Sequence, residues 1–261
     1  MARSSAVSAP KKKLSLRLAF LLGGFGTVAT GLLFPYVMVL MPEVFRAARV
    51  ALPVLIGAQL AQAFVVLTLL SWIGLRLGGP LGLDAPHLRA IVGGPGRRAL
   101  VARSAWLAIG LGALSTVLIA GLDLGLMPLL PAPRSPQPAE VERWRGMLAS
   151  FYGGIGEEIQ LRLFLMSLIA WFGWRLAGRP ALASPAIYWT AIAFSTLAFG
   201  AGHLPLAIKI WGSDTWVIVR TLVLNGIAGA TFGWLYWRRG LEYAMLGHFV
   251  ADLGLHVALP M

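Results

Sequence analysis

Long apolar stretches recur along the whole chain, and short polar stretches separate them. Because the hydrocarbon core of a bilayer is about 30 Å thick, a helix that crosses it needs about 20 apolar residues. By this measure the sequence predicts about seven membrane spans, within a range of six to eight. They lie at residues 18–41, 50–75, 100–129, 146–171, 186–204, 215–237 and 241–259. We therefore expect an all-α fold, a polytopic bundle of transmembrane helices.

The composition agrees with a membrane protein and excludes several other classes. Hydrophobic residues make up 58% of the chain, and charged residues make up 12%. The formal net charge of +12 comes from short basic clusters between apolar runs, so we expect a lipid bilayer as a partner and no nucleic acid. The sequence has no cysteine, which excludes disulfides, thiolate catalysis and cysteine-ligated metals.

Lysines and arginines are distributed unequally between the two ends of the predicted spans. With seven spans, 14 of these residues fall on the side of the N-terminus and only six fall on the other side. Basic residues accumulate on the cytoplasmic side of membrane proteins. The asymmetry predicts a cytoplasmic N-terminus, and the alanine-, arginine- and glycine-rich composition indicates a bacterial protein of the inner membrane.

A proline-rich linker at 131–145 divides the chain into two parts. Residues 1–130 hold about three spans, and residues 146–261 hold about four. The polar side chains that stand inside apolar runs and can carry chemistry are concentrated in the second part. We therefore look for the functional site in residues 146–261.

Two adjacent glutamates, Glu157 and Glu158, interrupt the fourth apolar run. A charged group at mid-bilayer costs at least about 2.5 kcal/mol, so intramembrane acids usually serve a function. On an α-helix Glu158 and Arg162 share a face and can form an ion pair, whereas Glu157 has no partner in its own helix. An unpaired carboxylate in such a place can act as a general base on water. The simpler alternative is that both glutamates line a packed polar seam.

Two further polar clusters lie in later spans. His203 stands near the end of the fifth span, in the stretch FGAGHLP. His248 and Asp252 are four residues apart in the seventh span and project from one face, as an oriented imidazole or a ligand pair requires. Each histidine alone has the alternative of a structural role inside the membrane or at its edge.

Taken together, the three clusters resemble the motif set of the CAAX protease and bacteriocin-processing (CPBP, or Abi) family, which includes the type II CAAX prenyl endopeptidases. The motifs stand here as Glu157-Glu158-x-x-x-Arg162, Phe199-x-x-x-His203 and His248-x-x-x-Asp252. They occur in the family's order, and each falls on a predicted span. The resemblance covers about residues 146–258.

The resemblance implies a glutamate-dependent intramembrane endopeptidase whose catalytic core is residues 146–261. It implies that Glu157 and His203 activate a water molecule, and that His248 and Asp252 contact the oxyanion that forms. The supporting residues are Glu158, Arg162 and Phe199. Family members with asparagine at the position of Asp252 can donate a hydrogen bond from the amide, but an ionised aspartate cannot donate one. We therefore expect Asp252 to hold His248 as a charged donor.

Two alternatives stay open. The side chains of Glu157, His203, His248 and Asp252 are acceptable zinc ligands, although we favour a reaction without a metal or other cofactor. Buried acids, arginines and histidines also build sites in transporters and in non-enzymatic scaffolds that give immunity to a peptide or bacteriocin. All motif residues lie in one half of the chain, with no repeat in the other half, which favours the protease. The expected substrate is a membrane-associated peptide or protein.

Overall fold

The computed structural model describes residues 12–93 and 101–259 of the 261-residue chain. These residues contain the helices α1 (Lys12–Leu40), α2 (Pro42–Arg46), α3 (Leu52–Gly78), α4 (Pro86–Ile91), α5 (Ala102–Leu126), α6 (Arg143–Phe151), α7 (Ser167–Leu176), α8 (Pro185–Trp211), α9 (Thr215–Arg239) and α10 (Leu241–Leu253). Between α6 and α7 the chain continues as a π-helical stretch, Tyr152–Glu157 and Ile159–Met166. The described ranges hold no strand, so the prediction of an all-α fold is confirmed.

Six helical stretches are long and apolar enough to cross a membrane. They are Ser15–Leu40, Leu52–Leu81, Ala102–Leu129, Arg143–Leu176, Pro185–Trp211 and Thr215–Arg239. The seventh predicted span, at 241–259, corresponds to α10 followed by a π-helical turn, Gly254–Ala258, and it is shorter than the others. The fold is therefore a polytopic helical bundle of about seven spans, as predicted.

Two sequence predictions depend on the loops. The proline-rich linker ends earlier than predicted, because α6 begins at Arg143. The prediction of a cytoplasmic N-terminus depends partly on basic residues outside the described ranges, among them Arg3, Lys11, Arg97 and Arg98. The orientation in the membrane therefore stays a prediction.

The centre of the bundle is formed by α10 and the π-helical stretch of the fourth span. α10 packs against α5, α9 and this stretch, and α3 and α8 also pack on the stretch. Glycines allow the backbones to approach at these crossings. A side chain at Gly74 would overlap the backbone of Leu163, and one at Gly112 would overlap the backbone of Gly247.

Large apolar side chains cover much of the outer surface. Val65, Trp106 and Leu124 are 64%, 72% and 77% exposed, respectively, and they stand on membrane-length helices. Soluble monomers rarely expose such extended apolar surface. The hydrocarbon core of a bilayer would cover these side chains, which leaves the buried polar groups at the centre as the features that need a functional explanation.

Candidate active site

Glu157 ends the first π-helical segment of the fourth span, and Glu158 joins it to the second. A π-helix is rare and often occurs at functional sites. Its hydrogen bonds join residues five apart, so a turn holds more residues than in an α-helix and successive side chains diverge by less than about 100°. Glu157 and Glu158 consequently both approach α10. The sequence prediction assumed α-helical geometry and therefore placed the two carboxylates on more separate faces.

His248 of α10 is the side chain that both glutamates approach. Its Nδ1 lies 2.8 Å from Oε1 of Glu158, and its Nε2 lies 3.8 Å from Oε2 of Glu157. An ionised carboxylate only accepts hydrogen bonds, so Nδ1 carries a proton in the contact with Glu158. This contact fixes the orientation of the imidazole and leaves Nε2 directed toward Glu157.

Asp252 lies beside the same imidazole nitrogen. Its Oδ1 is 3.5 Å from Nε2 of His248, one turn along α10. The sequence predicted that Asp252 would hold His248. In the structure the hydrogen bond that holds the ring comes from Glu158, because the π-helical stretch packs directly on α10. The carboxyl group of Asp252 lies beside Nε2 instead.

Arg162 forms an ion pair with the same carboxylate oxygen of Glu158 that His248 contacts. Its Nη1 lies 3.2 Å from Oε1 of Glu158, and its Nη2 donates to the carbonyl of Gly229 at 3.3 Å. The side chains of Glu158 and Arg162 are 0% and 1% exposed. The pair has the spacing that the sequence predicts, but Glu158 contacts both Arg162 and His248, a second contact that the sequence did not reveal.

Aromatic rings enclose the imidazole of His248. The ring of Phe232 on α9 stacks on it at a centroid distance of 4.5 Å, and the edge of Phe199 approaches it at 5.6 Å. Phe199 also lies 4.7 Å from the ring of His203 and beneath the guanidinium of Arg162. The sequence predicted a supporting role for Phe199 but not for Phe232. Nothing in an apolar run distinguishes a phenylalanine that faces the site from one that faces lipid.

His203 lies on α8 and is deeper in the bundle than the sequence indicated. We predicted that the fifth span ends at residue 204, but α8 continues through Pro205 to Trp211. Lys209 fixes this last turn, because its Nζ contacts the carbonyl of Leu40 and the carboxylate of Glu43. His203 therefore lies about 12 Å below the end of the helix, given a rise of 1.5 Å per residue.

A cavity of about 550 Å³ joins the predicted site residues. Its walls come from α1, α5, the fourth span, α8, α9 and α10, and they include Glu157, His203, His248 and Asp252. Nδ1 of His203 lies 2.9 Å from the carbonyl of Phe199, and as a donor there it leaves Nε2 with a free lone pair. The side chain of Glu157 is 24% exposed, whereas that of Glu158 is not exposed at all. Water can therefore reach Glu157 but not Glu158.

The comparisons with known proteins agree with this arrangement. Residues 139–254 match the family described as Type II CAAX prenyl endopeptidase Rce1-like. This part of the chain is similar to that family. The match includes all three motifs, which confirms the resemblance predicted for about residues 146–258. No curated protein and no solved structure matches the chain.

The match to the Rce1-like family indicates a protease of the CAAX type, and the apolar helices indicate an integral membrane protein. The part of the chain before residue 139 lies outside the match, and the structure nevertheless brings some of it to the site. Tyr36 and Leu40 of α1 and Ile119 of α5 line the cavity. These residues could not be assigned to the site from the sequence, because nothing in an apolar helix indicates which neighbour it will pack against.

The zinc alternative requires three or more ligands around one point. Among the described residues, no three histidine, aspartate or glutamate side chains are grouped in this way. The described residues also contain no hydrogen bond between Glu157 and His203, which line the cavity from different helices. Both side chains line a cavity that is large enough for water or a substrate group.

Gly153 is the position where the π-helical stretch lies against the polar groups of α10. A Cβ atom at this position would overlap the carboxylate of Asp252 and come within 3.1 Å of Nε2 of His248. We expect Gly153→Ala to lower kcat for the proteolytic reaction on the order of a hundredfold, because small displacements of catalytic groups have effects of this size. Peptide cleavage by purified variants measures it. Gly110→Ala is the matched control, since nothing lies within 4 Å of a Cβ there. Equal activity of the two variants would contradict the expectation.

Proposed function

We propose that the protein is an intramembrane endopeptidase in which Glu157 activates a water molecule that hydrolyses a peptide bond of a membrane-associated protein or peptide. The observation that carries the proposal is that Glu157, His203, His248 and Asp252 line one and the same cavity among membrane-length helices. Such groups are costly inside a bilayer, and here they converge on one space instead of being distributed through the core.

The first step is attack of water on the scissile carbonyl carbon. Glu157 takes a proton from the water, and the neutral Nε2 of His203 holds the water as an acceptor. Glu158 cannot share this task, because its side chain is fully buried and is engaged by Arg162 and His248. The adjacent glutamates therefore have different roles, one as a base and one as a positioning residue.

The attack produces a tetrahedral intermediate with a negatively charged oxygen. His248 stabilises it by donating from a protonated Nε2, because Glu158 accepts the hydrogen bond from Nδ1 and leaves Nε2 on the side of Glu157. Collapse of the intermediate breaks the C–N bond, and Glu157 returns its proton to the leaving nitrogen. The products are a carboxylic acid and an amine, and the sequence of steps needs no metal and no covalent intermediate.

The experiment that tests the proposal is cleavage of a library of membrane-inserted peptides by the purified protein in lipid bilayers, with new termini identified by mass spectrometry. We expect cleavage, and we expect its rate to survive a strong chelator because the proton transfers use carboxylate and imidazole alone. Loss of activity with the chelator and recovery with added zinc would replace the metal-free mechanism. If no peptide is cleaved while a peptide partner still binds, the protein is a scaffold.

The proposed location is a bacterial inner membrane with the N-terminus in the cytoplasm, which rests on the distribution of lysines and arginines in the sequence. Reporter fusions at the N-terminus and in the loop between α2 and α3 measure the orientation. An N-terminal reporter that is active only outside the cytoplasm would contradict it.

A further inference from the structure

The same cavity contains a positively charged residue that the mechanism does not use. Of the described residues that line the cavity, Arg220 on α9 is the only lysine or arginine. The acidic residues of the lining, Glu157 and Asp252, lie around His248 instead. The cavity thus has an acidic catalytic region and a separate basic position.

Arg220 is held rigidly by residues from two other helices. Its Nε and Nη2 both donate to the carboxylate of Asp123 on α5, the Nη2 contact being 2.9 Å long. The guanidinium also stacks over the ring of Trp211 at 4.8 Å. The side chains of Arg220 and Asp123 are 13% and 7% exposed. Asp214, the acidic residue nearest to Arg220 along the chain, instead caps the start of α9 through the backbone nitrogen of Trp216.

The ion pair leaves part of the guanidinium unused. An arginine has five N–H donors, and the two hydrogen bonds to Asp123 use two of them. Within the described part of the chain, Arg220 makes no other hydrogen bond. Arg220 lines a cavity with mostly apolar walls, and a carboxylate is the group that fits a guanidinium best in charge and shape.

We propose that Arg220 binds a carboxylate of the substrate while the peptide lies in the cavity. The inference rests on the proposed peptidase activity and adds a specificity determinant to it. The acidic groups around His248 repel a carboxylate, so the substrate is oriented with its negative charge at Arg220 and its scissile bond at Glu157.

The position of Arg220 limits where the carboxylate stands in the substrate. Arg220 and Phe232, which stacks on His248, both lie on α9 and are 12 residues apart. This separation corresponds to about 18 Å along the helix. An extended peptide spans that distance with about five residues, so the carboxylate lies within roughly five residues of the scissile bond. A C-terminal carboxylate and an aspartate or glutamate side chain both satisfy this requirement.

The test compares peptides that differ only in the carboxylate. One pair has a free or an amidated C-terminus, and a second, amidated pair has glutamate or glutamine within five residues of the cleaved bond. We expect kcat/KM of the purified protein to be at least about tenfold higher for the acidic member of one pair, and the pair that shows the preference identifies the source of the carboxylate.

The variant Arg220→Gln should lose this preference. Arg89→Gln is the matched control, because Arg89 is also a buried arginine whose Nε and Nη2 bind one aspartate, Asp84, but it does not line the cavity. We expect this control to keep the wild-type ratio of kcat/KM values. If Arg220→Gln lowers cleavage of both members equally, the Arg220 pair is only structural and the inference is wrong.

Asp123→Asn provides a second measurement that does not require removal of the arginine. It removes the charge that compensates Arg220, so the preference for the acidic peptide should increase. An unchanged or lower preference would contradict the inference. If the wild-type protein cleaves acidic and neutral peptides equally, the carboxylate site alone is wrong. If it cleaves neither, the proposed peptidase activity is wrong, and this inference is wrong with it.

Discussion

Replacement of Glu157 by glutamine is expected to lower kcat for peptide cleavage by about 10²–10⁴-fold, the usual contribution of a general base. Glutamine preserves the size of the side chain but cannot take a proton from water. Substrate binding should change much less, because Glu157 acts on the water and not on the body of the substrate. Steady-state kinetics with a cleaved membrane peptide separates kcat from KM.

The matched control is Glu142→Gln. Glu142 precedes the same membrane span, but its side chain is 62% exposed and pairs with Arg145 outside the cavity. Its replacement should leave kcat within about twofold of the wild type, since surface substitutions away from a site have small effects. Similar kcat values for the two variants would show that Glu157 is not the base.

Replacement of Arg162 by methionine is expected to cost about 3–5 kcal/mol of stability, because it removes the guanidinium that pairs with the fully buried carboxylate of Glu158. It should also disorder His248, whose Nδ1 depends on an ionised Glu158. Chemical unfolding in detergent micelles measures the stability. Arg175→Met is the control in the same span, because Arg175 is exposed and its loss should cost no more than about 0.5 kcal/mol.

The double variant Glu158→Gln/Arg162→Met identifies the cause of the loss. Removal of both charges should restore much of the stability, because a buried pair is worth far less than the penalty for a single unpaired charge. If the double variant is as unstable as Arg162→Met, the loss comes from packing around the arginine and not from the charge of Glu158.

Local features of the site could be predicted from the sequence. The spacing of Glu158 and Arg162 follows from the geometry of one helix, and the apolar runs show which helices carry the polar clusters. The motif residues Glu157, His203, His248 and Asp252 do meet at one cavity. Their roles in the reaction are still predictions, and the kinetic variants above test them.

Contacts between helices could not be predicted in the same way. The hydrogen bond of Glu158 to His248 joins residues 90 positions apart, and the pair of Asp123 and Arg220 joins residues 97 positions apart. One sequence contains no signal for the partner of a charged side chain when several candidates lie in other spans. Proximity along the chain is no guide either, because Asp214 is the acidic residue nearest to Arg220 in the sequence and caps α9 instead.

The end of a span was predicted well where the apolar run ends in a turn. It was predicted less well where the helix continues through polar residues that bind to other helices. The fifth span continues past Pro205 because the contacts of Lys209 with Leu40 and Glu43 stabilise its last turn. The π-helical stretch was also missed, since no local residue pattern distinguishes it from an α-helix. Both features change where the catalytic side chains stand.

The central claim is that Glu157 directs a water molecule onto the scissile carbonyl. A single turnover by purified protein in water labelled with heavy oxygen tests this claim most directly. Mass spectrometry then locates the label in the product and in the peptide that contains Glu157. Direct attack by water predicts one labelled oxygen in the new carboxylate of the product and none in Glu157. An unlabelled product together with a labelled Glu157 would show a covalent intermediate on the glutamate and would contradict the account.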